Sequence, residues 1–416
     1  MSKFYFDQYQ NPVGQGGFQK NYIYENKNKV LFSWIFDCGS NQALSLHREI
    51  KALPHSNFNA LFLSHLDNDH VNGVDLLLKT CHVDEVVLPY LSDDNWLFHL
   101  AAAIAGGNIA DTFIDLVEEP EVWFGTRGVR KLTYVECENE DDDTILKPDP
   151  VTPSPHETGD EDIGSQMELV WTRSEDISSK PISDKDLDRA NVYLVPKGAI
   201  ATIIRGTHTI NWILSPFSFQ VSSKNLKRFR SELIKAFGSG LTLPDYAAKA
   251  RTHTGRMQLR ACYDSIIKAH NKTSLVLYSG PFTYRSKKIH NTAWVGHFIR
   301  RAVQPGWISM GDYDCSKSKN AKTISKRCKK MVEFYSLYSD IVGQISLPHH
   351  GSDLSFDPTI LSSFPNCHAA IAAVGPNIHG HPGIEVQHQV GLIKALQFVR
   401  VDENPSSIYR VFGFIG

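Results

Sequence analysis

The chain has 416 residues, 42% of them hydrophobic, with 43 Lys+Arg against 45 Asp+Glu and a formal charge of −2. That apolar share supports a sizeable core, and near-neutrality excludes binding to nucleic acid through global positive charge, so any attraction to phosphates has to be local. No run approaches the roughly twenty apolar residues of a membrane span. The cysteines at 38, 81, 137, 262, 315, 328 and 367 form no Cys-x-x-Cys pair, and the opening Met-Ser-Lys-Phe-Tyr-Phe-Asp has no apolar leader core. Together these predict reduced thiols, a cytoplasmic location and no membrane partner.

Strands are expected over 5–11, 22–25 and 30–37, with glycines turning the chain between the first two, and a helix over 41–53. The apolar run Ala60-Leu61-Phe62-Leu63 reads as a buried strand that runs straight into Ser-His-Leu-Asp-Asn-Asp-His-Val-Asn-Gly at 64–73. A helix over 74–80, a short strand over 85–89 and helices over 97–105 and 109–118 follow. This alternation argues for an α/β fold. From Glu136 to Asp162 the composition turns acidic and proline-rich, with Glu138, Glu140, Asp141, Asp142, Asp143, Glu157, Asp160, Glu161 and Asp162. Such a stretch buries too little apolar surface to offset its ordering entropy, so a flexible acidic insertion is expected over about 136–190. A hairpin at 199–205 and 209–214 comes next. A basic helical insertion is then predicted over 219–270, with one amphipathic helix carrying Lys224, Lys227, Arg228 and Arg230 and a second over 246–270. Strands at 274–279, 306–310, 341–347 and 369–374 and helices at 322–337 and 382–396 complete the pattern. The whole is read as a single domain, 1–416, with two insertions.

The densest chemistry lies at the end of the strand at 60–63. His65, Asp67, Asp69 and His70 fall within six positions, and a sharp strand-to-loop turn aims all of them at one small volume. Imidazole and carboxylate clusters of this kind bind divalent metals, and a bound metal generates hydroxide near neutral pH. Asp312 follows the strand-like Trp307 to Gly311, with Asp314 as its near rival. His349 and His350 follow the strand at 341–347. His381 sits in the Gly-His-Pro of a later loop, with His379 as rival. An imidazole there has a pKa suited to proton transfer.

The segment at 65–70 resembles the signature of metallo-β-lactamase-fold hydrolases, His-x-His-x-Asp-His, with Asp67 where most members have histidine. That variant, together with Val13 to Gly17, Ile35 to Gly39, Asn271 to Leu277, Met310-Gly311-Asp312, Leu347 to Ser352 and Gly380-His381-Pro382, resembles the ComEC-type subgroup. The resemblance implies a four-layer αββα fold with helical and disordered insertions. It also implies two divalent ions, Zn²⁺ or Mn²⁺, with His65 and Asp67 at one, Asp69 and His70 at the other, and Asp312 bridging them. The hard carboxylate of Asp67 tilts preference toward manganese. His350 is assigned as ligand, His349 as donor to a substrate phosphate, and Ser352 as a further group in the pocket. Asp69, His349 and His381 form the catalytic set, and Asp37 orients a ligand loop. A histidine that many members place before the bridging aspartate has no counterpart among Asn271, Thr273 and Ser274, as in the subgroup.

A metal-dependent phosphodiesterase, with DNA as substrate, is therefore expected. Basic runs at Lys317, Lys319, Lys322, Lys326, Arg327, Lys329 and Lys330, at Arg285, Lys287, Lys288, Arg300 and Arg301, and at 224–230 would track a nucleic-acid backbone. The resemblance adds roles in DNA processing or defence and a protein partner in a multi-component system. The alternatives are a small-molecule hydrolase, phosphorylcholine esterase-like or lactamase-like, and a non-catalytic binding protein on the same fold.

Overall fold

The computed structural model describes residues 4–25, 29–107, 109–139, 144, 146–151, 167–178, 188–206, 208–221, 223–266, 274–283, 291–296, 298–301, 303–316, 325–376 and 380–415. Two large sheets lie face to face. Among the described residues the first has 11 strands and the second 8. Residue alternation along the strands shows how they stack. Trp34, Phe36, Ala60, Phe62 and Val87 of the first sheet meet Trp212, Leu214, Leu277, Trp307 and Ile371 of the second in one buried cluster. The residues between them point the other way. Ile35, Leu61, Val86 and Leu88 pack outward under Leu46, Ile50, Leu77, Leu97 and Leu100 of the covering helices. On the far side Ile213, Tyr278, Ile308 and Ala370 pack under Met331, Phe334, Val386 and Val390. Period-2 strands with both faces apolar thus dictate four layers, αββα, as expected.

Topology decides where a site forms. In the first sheet Lys29–Phe36, Asn57–Phe62, His82–Pro89, Lys131–Val135 and Asn191–Val195 run parallel as neighbours. In the second, Gly306–Ser309, Val342–Ser346, Ala369–Ala373 and Gln397–Val401 do the same. Among the described residues the remaining pairings between strands are antiparallel, and Phe4–Gln10 joins Tyr409–Ile415. Loops leaving the C-terminal ends of parallel strands are the usual ligand-binding edge of such sheets. Asp37, the 64–70 turn, Asp312, His349-His350 and His381 all follow such ends.

Several expectations shift. The helix predicted over 246–270 is two helices, Leu243–Ala250 and His253–Asp264, because the Thr252 hydroxyl accepts from the Gly255 amide and starts a new helix. Within the insertion read as acidic and flexible, Met167–Trp171 is a strand paired to Ala201–Arg205; residues 140–143 and 152–166 lie outside the described set. The hairpin Thr292–Val295 and Phe298–Arg301, beside Tyr409–Ile415, was not anticipated. No described helix is long and apolar enough to cross a membrane, and all seven cysteines are free and buried.

Candidate metal centre

The strand Asn57–Phe62 ends in a buried turn. Asp37, one residue past the neighbouring strand and at φ 57°, anchors it. Its Oδ1 accepts from the Ser64 amide at 2.6 Å, and its Oδ2 accepts from the Ser64 hydroxyl at 2.7 Å and lies 2.8 Å from His70 Nδ1. The expected orienting role of Asp37 has this geometry. Gly17 packs directly behind the pair: a Cβ there would lie 2.6 Å from Asp37 Cβ and 2.8 Å from His70 Nδ1. Gly17→Ala is expected to push both side chains off position and to cost about 1–3 kcal/mol, read as a lowered unfolding temperature.

Asp312 occupies the middle of the site and is 2% exposed. Its Oδ1 lies 3.2 Å from His70 Nε2 and 3.5 Å from His350 Nε2; its Oδ2 lies 3.7 Å from His65 Nε2 and 3.7 Å from His349 Nε2. Burial opposes ionisation of Asp312, but His349, His70 and His350 outweigh it and hold the carboxyl well below its usual range. Asp69 behaves alike. Its burial is outweighed by His350 and His70, and its pKa falls to about 2. The His350 Nε2–Asp69 Oδ2 distance is 3.3 Å. His70 responds in the opposite sense, with burial overcome by Asp312 and Asp37, so that it is raised well above the usual imidazole value. Asp314, the rival to Asp312, instead accepts from the Ser316 amide in a turn.

Three histidines share one arrangement. His65 Nδ1 contacts Ser64 Oγ at 2.9 Å, His70 Nδ1 contacts Asp37, and His350 Nδ1 contacts the Ala373 carbonyl at 2.9 Å. Each is held from behind, and each buried Nε2 faces the carboxylates without completing a hydrogen bond among the described residues. Buried nitrogens held this way are what a metal ligand requires. His65, His70 and Asp312 offer atoms within 4.8 Å of one another, as do Asp69, His70 and His350. The donor set therefore fits divalent cations. Asp67 belongs to neither group; its Oδ2 lies 3.6 Å from His65 Nε2.

His349 and His350 both adopt the left-handed backbone region, at φ 48° and 55°. Such conformations cost on the order of 1–3 kcal/mol each and concentrate at functional sites. The kink turns the two rings to 83°. It sends His350 into the interior and leaves His349 at the rim, its side chain 29% exposed, with its ring 5.3 Å from that of His381. The Ser352 hydroxyl, expected to add to this pocket, accepts from the Leu354 amide at 3.3 Å. Ser274 supports Asp312 by accepting from its amide at 3.1 Å, whereas His270, Asn271, Thr273 and His379 lie outside the described residues.

Sequence reasoning missed Asn41, whose amide reaches Asp69 Oδ2 at 3.5 Å, and His99, buried at 6% exposure. Burial pushes the His99 imidazole down to about 4, with Asp67 and His65 as the charges acting on it. Neither residue stands in a spacing motif. The only signal for His99 was a histidine on a helix among mostly apolar neighbours, Trp96, Leu97, Phe98, Leu100 and Ala102.

The basic residues divide into two sets. Arg230 pairs with Asp94, Arg251 with Asp115 and Glu118, Arg256 with Asp111 and Arg260 with Asp264. Arg327 and Lys330 are buried, with Arg327 donating to the Gln220 carbonyl and Lys330 to that of Asn139. These cations serve the fold. Lys224, Lys227 and Arg228, on the helix Ser223–Phe237, are exposed and form no ion pair among the described residues. Lys317, Lys319, Lys322, Arg285, Lys287 and Lys288 lie outside the described set. A separate cavity of about 620 Å³, lined by Lys29, His55, His82, Asp84 and Arg130 among others, lies at the opposite ends of the parallel strands and contains none of the candidate ligands.

Residues 15–164 match the sequence model of the Metallo-beta-lactamase superfamily. No curated protein matches the chain. The crystal structure of unliganded yeast PDE1 is similar, with a TM-score of 0.36 and 9% identity over 99% of this chain and 100% of that one.

Proposed function

We propose that this chain is a metal-dependent hydrolase of phosphodiesters with nucleic acid, most of all DNA, as its substrate. The observation that carries the reading is the meeting of loops from five parallel-strand ends around the buried Asp312, each bringing an imidazole or carboxylate. Asp69, His70 and His350 would hold one cation and His65 and Asp67 the other, with Asp312 between them. Cations held there would polarise a phosphoryl oxygen and supply hydroxide near neutral pH. Asp69, kept ionised and touched by Asn41, would orient the attacking water. His349 and His381, paired at the rim, would grip a non-bridging phosphate oxygen and return a proton to the leaving oxygen.

The polymer reading rests on the exposed basic helix. Phe217 pairs with Val276, the preceding residue, Leu275, donates its amide to the Ser64 carbonyl, and Arg230 reaches Asp94 just past the end of His82–Pro89. Lys224, Lys227 and Arg228 therefore sit on the same edge as the metal ligands. Reversing all three charges to Glu is expected to weaken polynucleotide turnover by about tenfold and flatten its salt dependence. Hydrolysis of bis(p-nitrophenyl) phosphate should be unchanged.

The test of the function is turnover of single-stranded DNA, double-stranded DNA, RNA and bis(p-nitrophenyl) phosphate with Mn²⁺, with Zn²⁺ and with chelator. Chelator-sensitive cleavage of DNA supports the reading. Turnover of the small diester alone removes the nuclease assignment, and no turnover of any substrate removes the phosphodiesterase.

A further inference from the structure

Asp37 and the 64–70 turn leave the C-terminal ends of Lys29–Phe36 and Asn57–Phe62. The cavity of about 620 Å³ lies where the same strands begin. Its volume falls within the range of small-molecule sites, about 300–1,000 Å³. Strand register opens it. Trp34 lies opposite Ala60, so Lys29 and Val30 project past the start of Asn57–Phe62, whereas His82 starts level with Asn57. The space left between them is lined by residues 54–56 and, from the second sheet, by Met167. We propose that this cavity is a second binding site, separate from the metal centre, and that it takes a nucleoside monophosphate. The choice of a nucleotide rests on the nucleic-acid reading above, since complete hydrolysis of a polynucleotide releases such molecules.

Charge argues for an anion. Lys29, Arg130, His55 and His82 line the cavity, and Asp84 is the one carboxylate among its described lining residues. Asp84 is already shared, with its Oδ1 3.0 Å from His82 Nε2 and 3.7 Å from Arg130 Nη2. Lys29 Nζ lies 3.6 Å from Glu25 Oε2, and the other oxygen of Glu25 takes Arg205 at 2.9 Å. Each carboxylate thus answers two basic groups, and an ionised phosphate would meet donors in excess. Lys29 and Arg130 are exposed, and pairs of that kind are worth at most about 1 kcal/mol, so both side chains are free to turn onto an incoming phosphate. The remaining walls suit a nucleoside. Asn59 Oδ1 accepts from the Ser33 amide at 2.9 Å, which leaves its N–H₂ as a donor. His55 is held edge-on to Tyr22, with ring centroids 5.6 Å apart. Val30, Leu31 and Met167 supply apolar surface for a base to cover.

The experiment titrates the full chain calorimetrically with deoxyadenosine monophosphate, inorganic phosphate and deoxyadenosine. Chelator is present throughout, so that no cation at the Asp312 centre holds the phosphate. The wild type is compared with the double variant Lys29→Glu/Arg130→Glu and with Asp312→Asn, and thermal unfolding checks each fold. One nucleotide per chain is expected, bound more tightly than either phosphate or the nucleoside. The double variant should bind it at least roughly tenfold more weakly, and Asp312→Asn should bind it as the wild type does. No binding by the wild type, or wild-type affinity in the double variant, overturns the site. Binding lost in Asp312→Asn instead would place the nucleotide in the metal centre and overturn it equally. Phosphate or deoxyadenosine binding as tightly as the nucleotide overturns the nucleotide assignment. DNA turnover with Mn²⁺, measured separately, tests the metal centre: binding without turnover leaves the cavity site and removes the nuclease, and turnover without binding does the converse.

Discussion

Asp312→Asn is expected to lower phosphodiester turnover on the order of 10³-fold and to reduce the bound cations below the wild-type number. The substitution keeps the shape of the side chain and removes one charge. That charge faces the Nε2 atoms of His65, His70, His349 and His350 at 3.2–3.7 Å. Three of these imidazoles hold the buried carboxyl ionised against its burial. Without it, cations on either side lose their shared anion and the surrounding positive groups repel one another. Metal analysis alongside the rate on bis(p-nitrophenyl) phosphate is the check. A variant with wild-type metal content and rate would place the chemistry elsewhere.

The second large effect is expected at Asp37, which faces no substrate. Asp37→Ala leaves the Ser64 amide, the Ser64 hydroxyl and His70 Nδ1 without the carboxylate they share. A buried polar group stripped of its partner costs about 1–3 kcal/mol, so a loss of several kcal/mol in stability is expected. Asp37→Asn separates orientation from charge. The amide tolerates the positive φ but presents at most one good acceptor, so His70 loses its anchor. Metal affinity is expected to fall about 10- to 100-fold with the fold intact. Metal titration with parallel thermal unfolding distinguishes the two variants. Wild-type metal affinity in Asp37→Asn would mean that His70 is positioned by packing alone.

The parts of this site that are legible in sequence share one property: they follow strands. His65, Asp69 and His70 crowd into the turn after an apolar run, and Asp312 and the His349-His350 pair each follow another. Parallel-strand ends of both sheets share one edge, so chain position predicts their meeting. His99 has no such address. It lies in a helix, and whether a helical histidine faces a core or a site depends on which helix packs behind it, here the inserted His253–Asp264 and Ser223–Phe237. The same dependence on distant packing hid the division of the cations. Arg230 and Lys224 look alike in an amphipathic pattern, yet one meets Asp94 across the fold and the other meets no charge among the described residues. The unforeseen hairpin at 292–301 is similar, since its strands are four residues each and gain their pairing only from Tyr409–Ile415.

The most direct measurement of the central claim is anomalous diffraction from crystals of the full chain grown with Mn²⁺ or Zn²⁺. Two peaks are predicted, one beside His65 and Asp67 and one between Asp69, His70 and His350, with Asp312 reaching both. Full crystals with no peak at these residues, or with a cation bound only elsewhere, would contradict the account.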